Sequence, residues 1–87
     1  MPRFTILIKP SARKELEGLS DLLVSRIVPK IEKLTENPRP AGTRKLRGYT
    51  DIWRIRVGDY RIVYIIDGEN RTATITRIAH RRHVYEP

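Results

Sequence analysis

Apolar residues recur along this chain with two different periods, and the change between them divides it. Leu23, Val24, Ile27, Val28, Ile31 and Leu34 fall three or four residues apart, which is one face of an α-helix. From Ile52 onward the period is two. Ile52–Val57 (IWRIRV), Tyr60–Ile66 (YRIVYII) and Thr72–Ile78 (TATITRI) are rich in β-branched and aromatic residues, as strands are. Phe4–Lys9 is a further short strand candidate closed by Pro10, and Lys45–Tyr49 is a weak one.

Punctuation between these segments completes the order. Ser11 is the predicted N-cap of a first helix carrying Ala12, Leu16 and Leu19, and Ser20 or Asp21 caps the second. Pro29 lacks a backbone donor and is predicted to kink that second helix. Asn37–Gly42 (NPRPAG) must end it in a loop. Gly58-Asp59 and Asp67–Asn70 are hairpin signals. The predicted fold is therefore α+β. Two N-terminal helices cover one face of a small, mostly antiparallel sheet of four to five strands, in a single domain spanning residues 1–87.

The first hairpin permits a deduction about side chains. A two-residue loop at Gly58-Asp59 sets Val57 opposite Tyr60, Arg56 opposite Arg61, Ile55 opposite Ile62 and Trp53 opposite Tyr64. Alternation then directs Trp53, Ile55, Val57, Tyr60, Ile62, Tyr64 and Ile66 toward the helices. Arg54, Arg56 and Arg61 share the other face. Like charges opposite one another destabilise a sheet, so this grouping has the character of a phosphate cradle. The second hairpin is open: a three-residue loop brings Arg77 opposite Arg61, and a four-residue loop turns it away.

Composition sharpens that reading. The chain has 87 residues, 18 Lys+Arg against 10 Asp+Glu, and a formal charge of +8. Thirteen of the basic residues are Arg, the planar, bidentate phosphate binder. Such a charge on so small a body calls for a polyanionic partner. The absence of cysteine excludes a disulfide framework and thiol chemistry. No apolar run reaches the ~20 residues that span a bilayer, so a cytoplasmic protein without membrane contact is expected. His80-x-x-His83, ringed by arginines and without a supporting carboxylate or Cys, makes a poor metal site. No metal and no cofactor are expected. Imidazole, guanidinium and phenol together are instead groups suited to phosphoryl transfer.

The series LRGYTDIWRIRVGDYRIVY (46–64), followed by a strand and RIAHRRHVY (77–85), resembles the RelE/ParE toxin superfamily, the RelE branch in particular. The Pro-rich loop 37–46 and the helical pair fit its layout, so the resemblance spans essentially the whole chain. It implies a microbial RNase-like fold and the toxin of a type II toxin–antitoxin module, cutting mRNA in the ribosomal A site without a metal. The ribose 2′-oxygen attacks phosphorus and leaves a 2′,3′-cyclic phosphate. By the same resemblance Arg54 and Arg56 bind substrate, Arg61 stabilises the phosphate, Arg81 serves as acid or charge stabiliser, and Tyr85 orients or stacks on the substrate. Arg82 and His83 would add substrate contacts.

The family pattern has lysines where this chain has Arg54 and Arg56, and arginine is a very poor proton acceptor. A conventional base is then His80 or His83, His80 being slightly favoured beside Arg81; otherwise catalysis rests on electrostatics and positioning. The partners implied are the ribosome, through rRNA and A-site mRNA, and a cognate antitoxin that forms a hetero-oligomer with a toxin monomeric when free. Two other readings stand beside this one: a ParE-like inhibitor of DNA gyrase without nuclease activity, and a catalytically inactive relative kept for antitoxin binding.

Overall fold

The computed structural model describes residues 3–46, 48 and 51–82. Strand β1 (Thr5–Ile8) leads into α1 (Pro10–Glu17) and α2 (Asp21–Lys33), followed by β2 (Arg44–Lys45), β3 (Ile52–Val57), β4 (Tyr60–Asp67) and β5 (Thr72–His80). The sheet order is β1-β5-β4-β3-β2, antiparallel except for the β1–β5 pair. This is the α+β architecture expected. Arg47 and Tyr49 of the Lys45–Tyr49 strand candidate lie outside the described residues; β2 starts one residue earlier, at Arg44.

One boundary differs from expectation for a local reason. Helix α1 begins at Pro10, with Lys9 as N-cap in place of Ser11. Proline suits the first helical position, where its missing N–H would have no partner and its φ is already helical. Helix α2 is capped as read, Ser20 Oγ accepting from Leu23 N–H at 3.3 Å. It runs from Asp21 to Lys33 with Pro29 inside it on the exposed side.

The helical stripe and the inward face of the sheet form one core. Ile27, Ile31 and Leu34 of the stripe are buried with Ala12 against Ile55, Val57, Ile62, Tyr64, Ile66, Ala73, Ile75 and Ile78. Trp53 and Tyr60 pack at its edge. Tyr64 also ties the loop after α2 to the sheet. Its buried hydroxyl donates to the Pro38 carbonyl at 2.7 Å and lies 3.3 Å from Thr43 Oγ1, while burial raises the phenol's pKa. Arg39 stacks over Trp53, 5.0 Å from the ring centre. These contacts fix where the chain re-enters the sheet at Arg44.

Candidate active site

The β3–β4 hairpin has the register deduced from its two-residue loop, including Arg56 opposite Arg61. Gly58 takes φ +59°, which a residue without Cβ adopts at no steric cost. Arg54, Arg56 and Arg61 accordingly share the face turned away from the helices. The face is not bare: Val63, on the same side of β4, is fully buried with Arg54 opposite it on β3 and Arg77 on β5.

Strand β2 adds a fourth guanidinium. Arg44 pairs directly with Arg54, so the two side chains leave the sheet on the same face. Sequence reasoning missed it, since a two-residue strand carries no period and no tight turn ties it to β3. The group is close enough for its members to affect one another. Burial, then Arg56, Arg61 and Arg44, lower the Arg54 pKa. Burial, then Arg56 and Arg81, lower that of Arg61, with Asp59 opposing.

Arg81 reaches this group through an irregularity in β5. The second loop has four residues, Asp67 pairing with Thr72. The Asp67 carboxylate shapes it by accepting from Glu69 N–H, Asn70 N–H and Asn70 Nδ2, and Arg71 takes φ 52°. These hydrogen bonds hold the Asp67 pKa below the usual carboxylate range. The register Tyr64↔Ile75 then shifts by one, so that Val63 pairs with Arg77, Ile62 with Ile78 and Tyr60 with His80. Thr76 is the extra residue, its hydroxyl donating to the Val63 carbonyl at 3.2 Å. A bulge of this kind exchanges the faces of everything beyond it. Unshifted, His80 would stand opposite Asp59, on the side of Arg61. As it is, Arg81 stands there, its N–H donating to the Asp59 carbonyl at 2.7 Å. Its guanidinium lies 4.0 Å from the Asp59 carboxylate, both side chains well exposed.

The same shift removes His80 from the arginine group. It faces Tyr60 on the helix side, rings edge to face with centroids 5.5 Å apart, and its Nδ1 accepts the Arg82 N–H at 3.3 Å. With Nδ1 accepting, the neutral ring carries its proton on Nε2. The expectation that His80 sits beside the basic face is corrected: the strand places it on the helix side, against Tyr60. Arg82 is exposed just past β5. His83 and Tyr85 lie outside the described residues.

Arg77 takes part of each alternative: the loop has four residues, yet the bulge sets Arg77 opposite Val63, on the side of Arg61. Beyond Ile75 strand β5 has outrun β1, and Glu15 of α1 serves that edge, accepting from Ile78 N–H at 2.8 Å and from Arg77 Nε at 3.1 Å. Glu15 thus holds the strand just past the bulge. Glu15→Ala is expected to cost about 1–3 kcal/mol by leaving the part-buried Ile78 N–H without its acceptor. Glu15→Gln, which keeps an acceptor, should recover part of it. Urea unfolding of the two variants tests this; equal stability of Glu15→Ala and the parent would show that the interaction contributes nothing.

Besides Arg77, which reaches Glu15, five arginines, Arg44, Arg54, Arg56, Arg61 and Arg81, thus occupy one face. Among the described residues the carboxylate ion-paired to any of them is Asp59. The described residues contain no group of three or more His, Cys, Asp or Glu side chains able to hold a metal. Chemically the face can bind a phosphodiester and stabilise extra negative charge on it.

Comparison with known proteins identifies the family and the fold. The profile of the ParE toxin of type II toxin–antitoxin systems (parDE) matches residues 6–85. The chain belongs to this family. Toxin RelG of Mycobacterium tuberculosis is 29% identical over 83 residues, covering 94% of this chain and 95% of that protein. The toxin also superimposes on the archaeal RelE–RelB complex of Pyrococcus horikoshii, with TM-score 0.82, 25% identity and coverage of 97% and 100% of the two chains. The RelB–RelE complex of Methanococcus jannaschii gives TM-score 0.75 and 28% identity, over 93% of this chain and 99% of that one. The toxin is a RelE/ParE-type toxin of a type II system, in sequence and in fold.

Proposed function

We propose that this toxin is an endoribonuclease that cuts mRNA in the ribosomal A site and is neutralised by a cognate antitoxin. The convergence of five guanidinium groups on one sheet face, with Asp59 their one ion-paired carboxylate among the described residues, carries the proposal. So costly a concentration of like charge suits a phosphodiester whose negative charge increases in the transition state. The 2′-oxygen attacks phosphorus as the P–O5′ bond breaks, giving a 2′,3′-cyclic phosphate and a 5′-hydroxyl. The 2′-proton leaves to solvent, and solvent protonates the departing 5′-oxygen. Arg56 and Arg61, paired across the hairpin, hold the non-bridging oxygens; Arg81 neutralises charge near the leaving group. Arg44 and Arg54 bind the neighbouring backbone. Tyr85, four residues past Arg81, supplies a ring for stacking or orientation.

The ribosome's contribution is to bend the mRNA into line for attack. Relatives named RelE toxins, and neighbours solved as complexes with RelB, support both the activity and an antitoxin partner. Primer extension of a reporter mRNA on stalled ribosomes tests the proposal. Cuts within the A-site codon are expected. Intact mRNA with accumulated double-strand DNA breaks in expressing cells would replace this reading with gyrase inhibition, and no growth arrest at all would mark an inactive relative.

A further inference from the structure

Past the Arg44↔Arg54 pair, β3 has no strand neighbour on the β2 side among the described residues. The chain is turned aside there at Gly42, which takes φ +90°. Between this open edge and α2 lies a cleft of about 490 Å³, lined by Lys30 and Lys33, the turn 40–42, and Arg44, Ile55 and Arg56. Four of the lining residues are cations and none is acidic. Among the described residues, no ion pair engages any of the four.

The backbone adds a donor to the cleft. A two-residue hairpin makes Val57–Tyr60 and Ile55–Ile62 the hydrogen-bond-exchanging pairs. The Arg56 N–H therefore points away from β4, toward the open edge. The same parity places the Ile52 carbonyl on that side, where it accepts Leu46 N–H at 2.8 Å. Lys30 and Lys33 also suit the C-terminal end of a helix dipole, which explains their presence in α2. It does not explain why two arginines face them with no counter-ion between.

We infer that this cleft is a second phosphate-binding station, one that takes the single-stranded RNA backbone adjoining the reacting phosphodiester and leads it from the arginine face around the edge of β3 onto α2. Arg44 and Arg56 belong to both sites, so one continuous strand can occupy them together. The inference rests on the RNA-cleaving reading for the identity of its ligand. Its test measures binding by the isolated toxin, whereas that reading stands or falls on cleavage by ribosomes.

The probe is a fluorescent single-stranded RNA 12-mer, its 2′-hydroxyls methylated, followed by anisotropy across a salt series. Each phosphate of a single strand that a lysine neutralises releases counterions, so leaving two of them unneutralised should lower the slope of log K against log salt by about 1.4. Lys30→Glu/Lys33→Glu is expected to show that change and roughly tenfold weaker binding. Both lysines are exposed, so unfolding temperature should hold. Lys30→Gln/Lys33→Gln, which removes charge without reversing it, should give the same slope change with a smaller loss. An unchanged slope in both pairs overturns the inference. Normal 12-mer affinity with weakened ribosome binding would assign the cleft to rRNA and overturn it also. Loss confined to antitoxin binding would assign it to an acidic peptide, with the same consequence.

Discussion

Arg61→Ala is expected to lower single-turnover cleavage of A-site mRNA by about 10²–10³-fold, the cost of removing one preorganised donor from a developing oxyanion. Arg61 has the most crowded position on the basic face. It stands opposite Arg56, and burial with two neighbouring guanidinium groups depresses its pKa. In the free toxin, then, the Arg61 charge is tolerated at a cost; phosphate relieves it. Arg61→Ala should consequently leave unfolding temperature unchanged or slightly raised, by a few tenths of a kcal/mol at most given the exposure of the face. Lost activity with unimpaired stability separates a catalytic role from a structural one. Arg61→Lys extends the test, because a point charge can bind phosphate but cannot form the bidentate fork; an intermediate rate is expected. Full activity of Arg61→Ala would remove this residue from the proposed mechanism.

The basic face was legible only where a tight turn ties residues together. Gly58-Asp59 leaves one register for the β3–β4 hairpin, so the pairing of Arg56 with Arg61 follows from alternation alone. Arg44 was invisible because β2 has two residues and is held in place by Tyr64 and the loop 37–43, interactions between segments far apart in the chain. The parallel β1–β5 pairing is hidden for the same reason: no turn joins the two strands.

Strand β5 did contain a warning. Ile75 and Ile78 are three residues apart and both are buried on the helix face, which an uninterrupted strand does not allow. An extra residue between them is the physical solution, and Thr76 is that residue. From the bulge it follows that Arg81 joins Arg61 while His80 joins Tyr60. The hydroxyl of Thr76 and the carboxylate of Glu15 stabilise the shifted register.

No imidazole stands on the basic face among the described residues, so with solvent taking the 2′-proton the rate of the chemical step should keep rising with pH. The expected slope is about tenfold per pH unit, or roughly 100-fold between pH 6 and 8, measured in single turnover with saturating toxin. The reason lies in which groups titrate. Attack requires the 2′-hydroxyl to lose its proton, and with no protein base the acceptor is solvent hydroxide, whose concentration rises tenfold per unit. Arg54 and Arg61 have lowered pKa values, but guanidinium remains protonated throughout this range. A bound phosphodiester favours its charged form further. The arginines therefore contribute a constant electrostatic term and no inflection. A histidine base would behave differently: the rate would level off above its pKa, near 6.5 for an unperturbed ring. Replacement of His80 or His83 by Gln decides between the two. Under the electrostatic mechanism both variants keep the rising profile. A plateau near neutral pH in the parent, abolished by either substitution, would identify that imidazole as the base and confine the arginines to holding the phosphate.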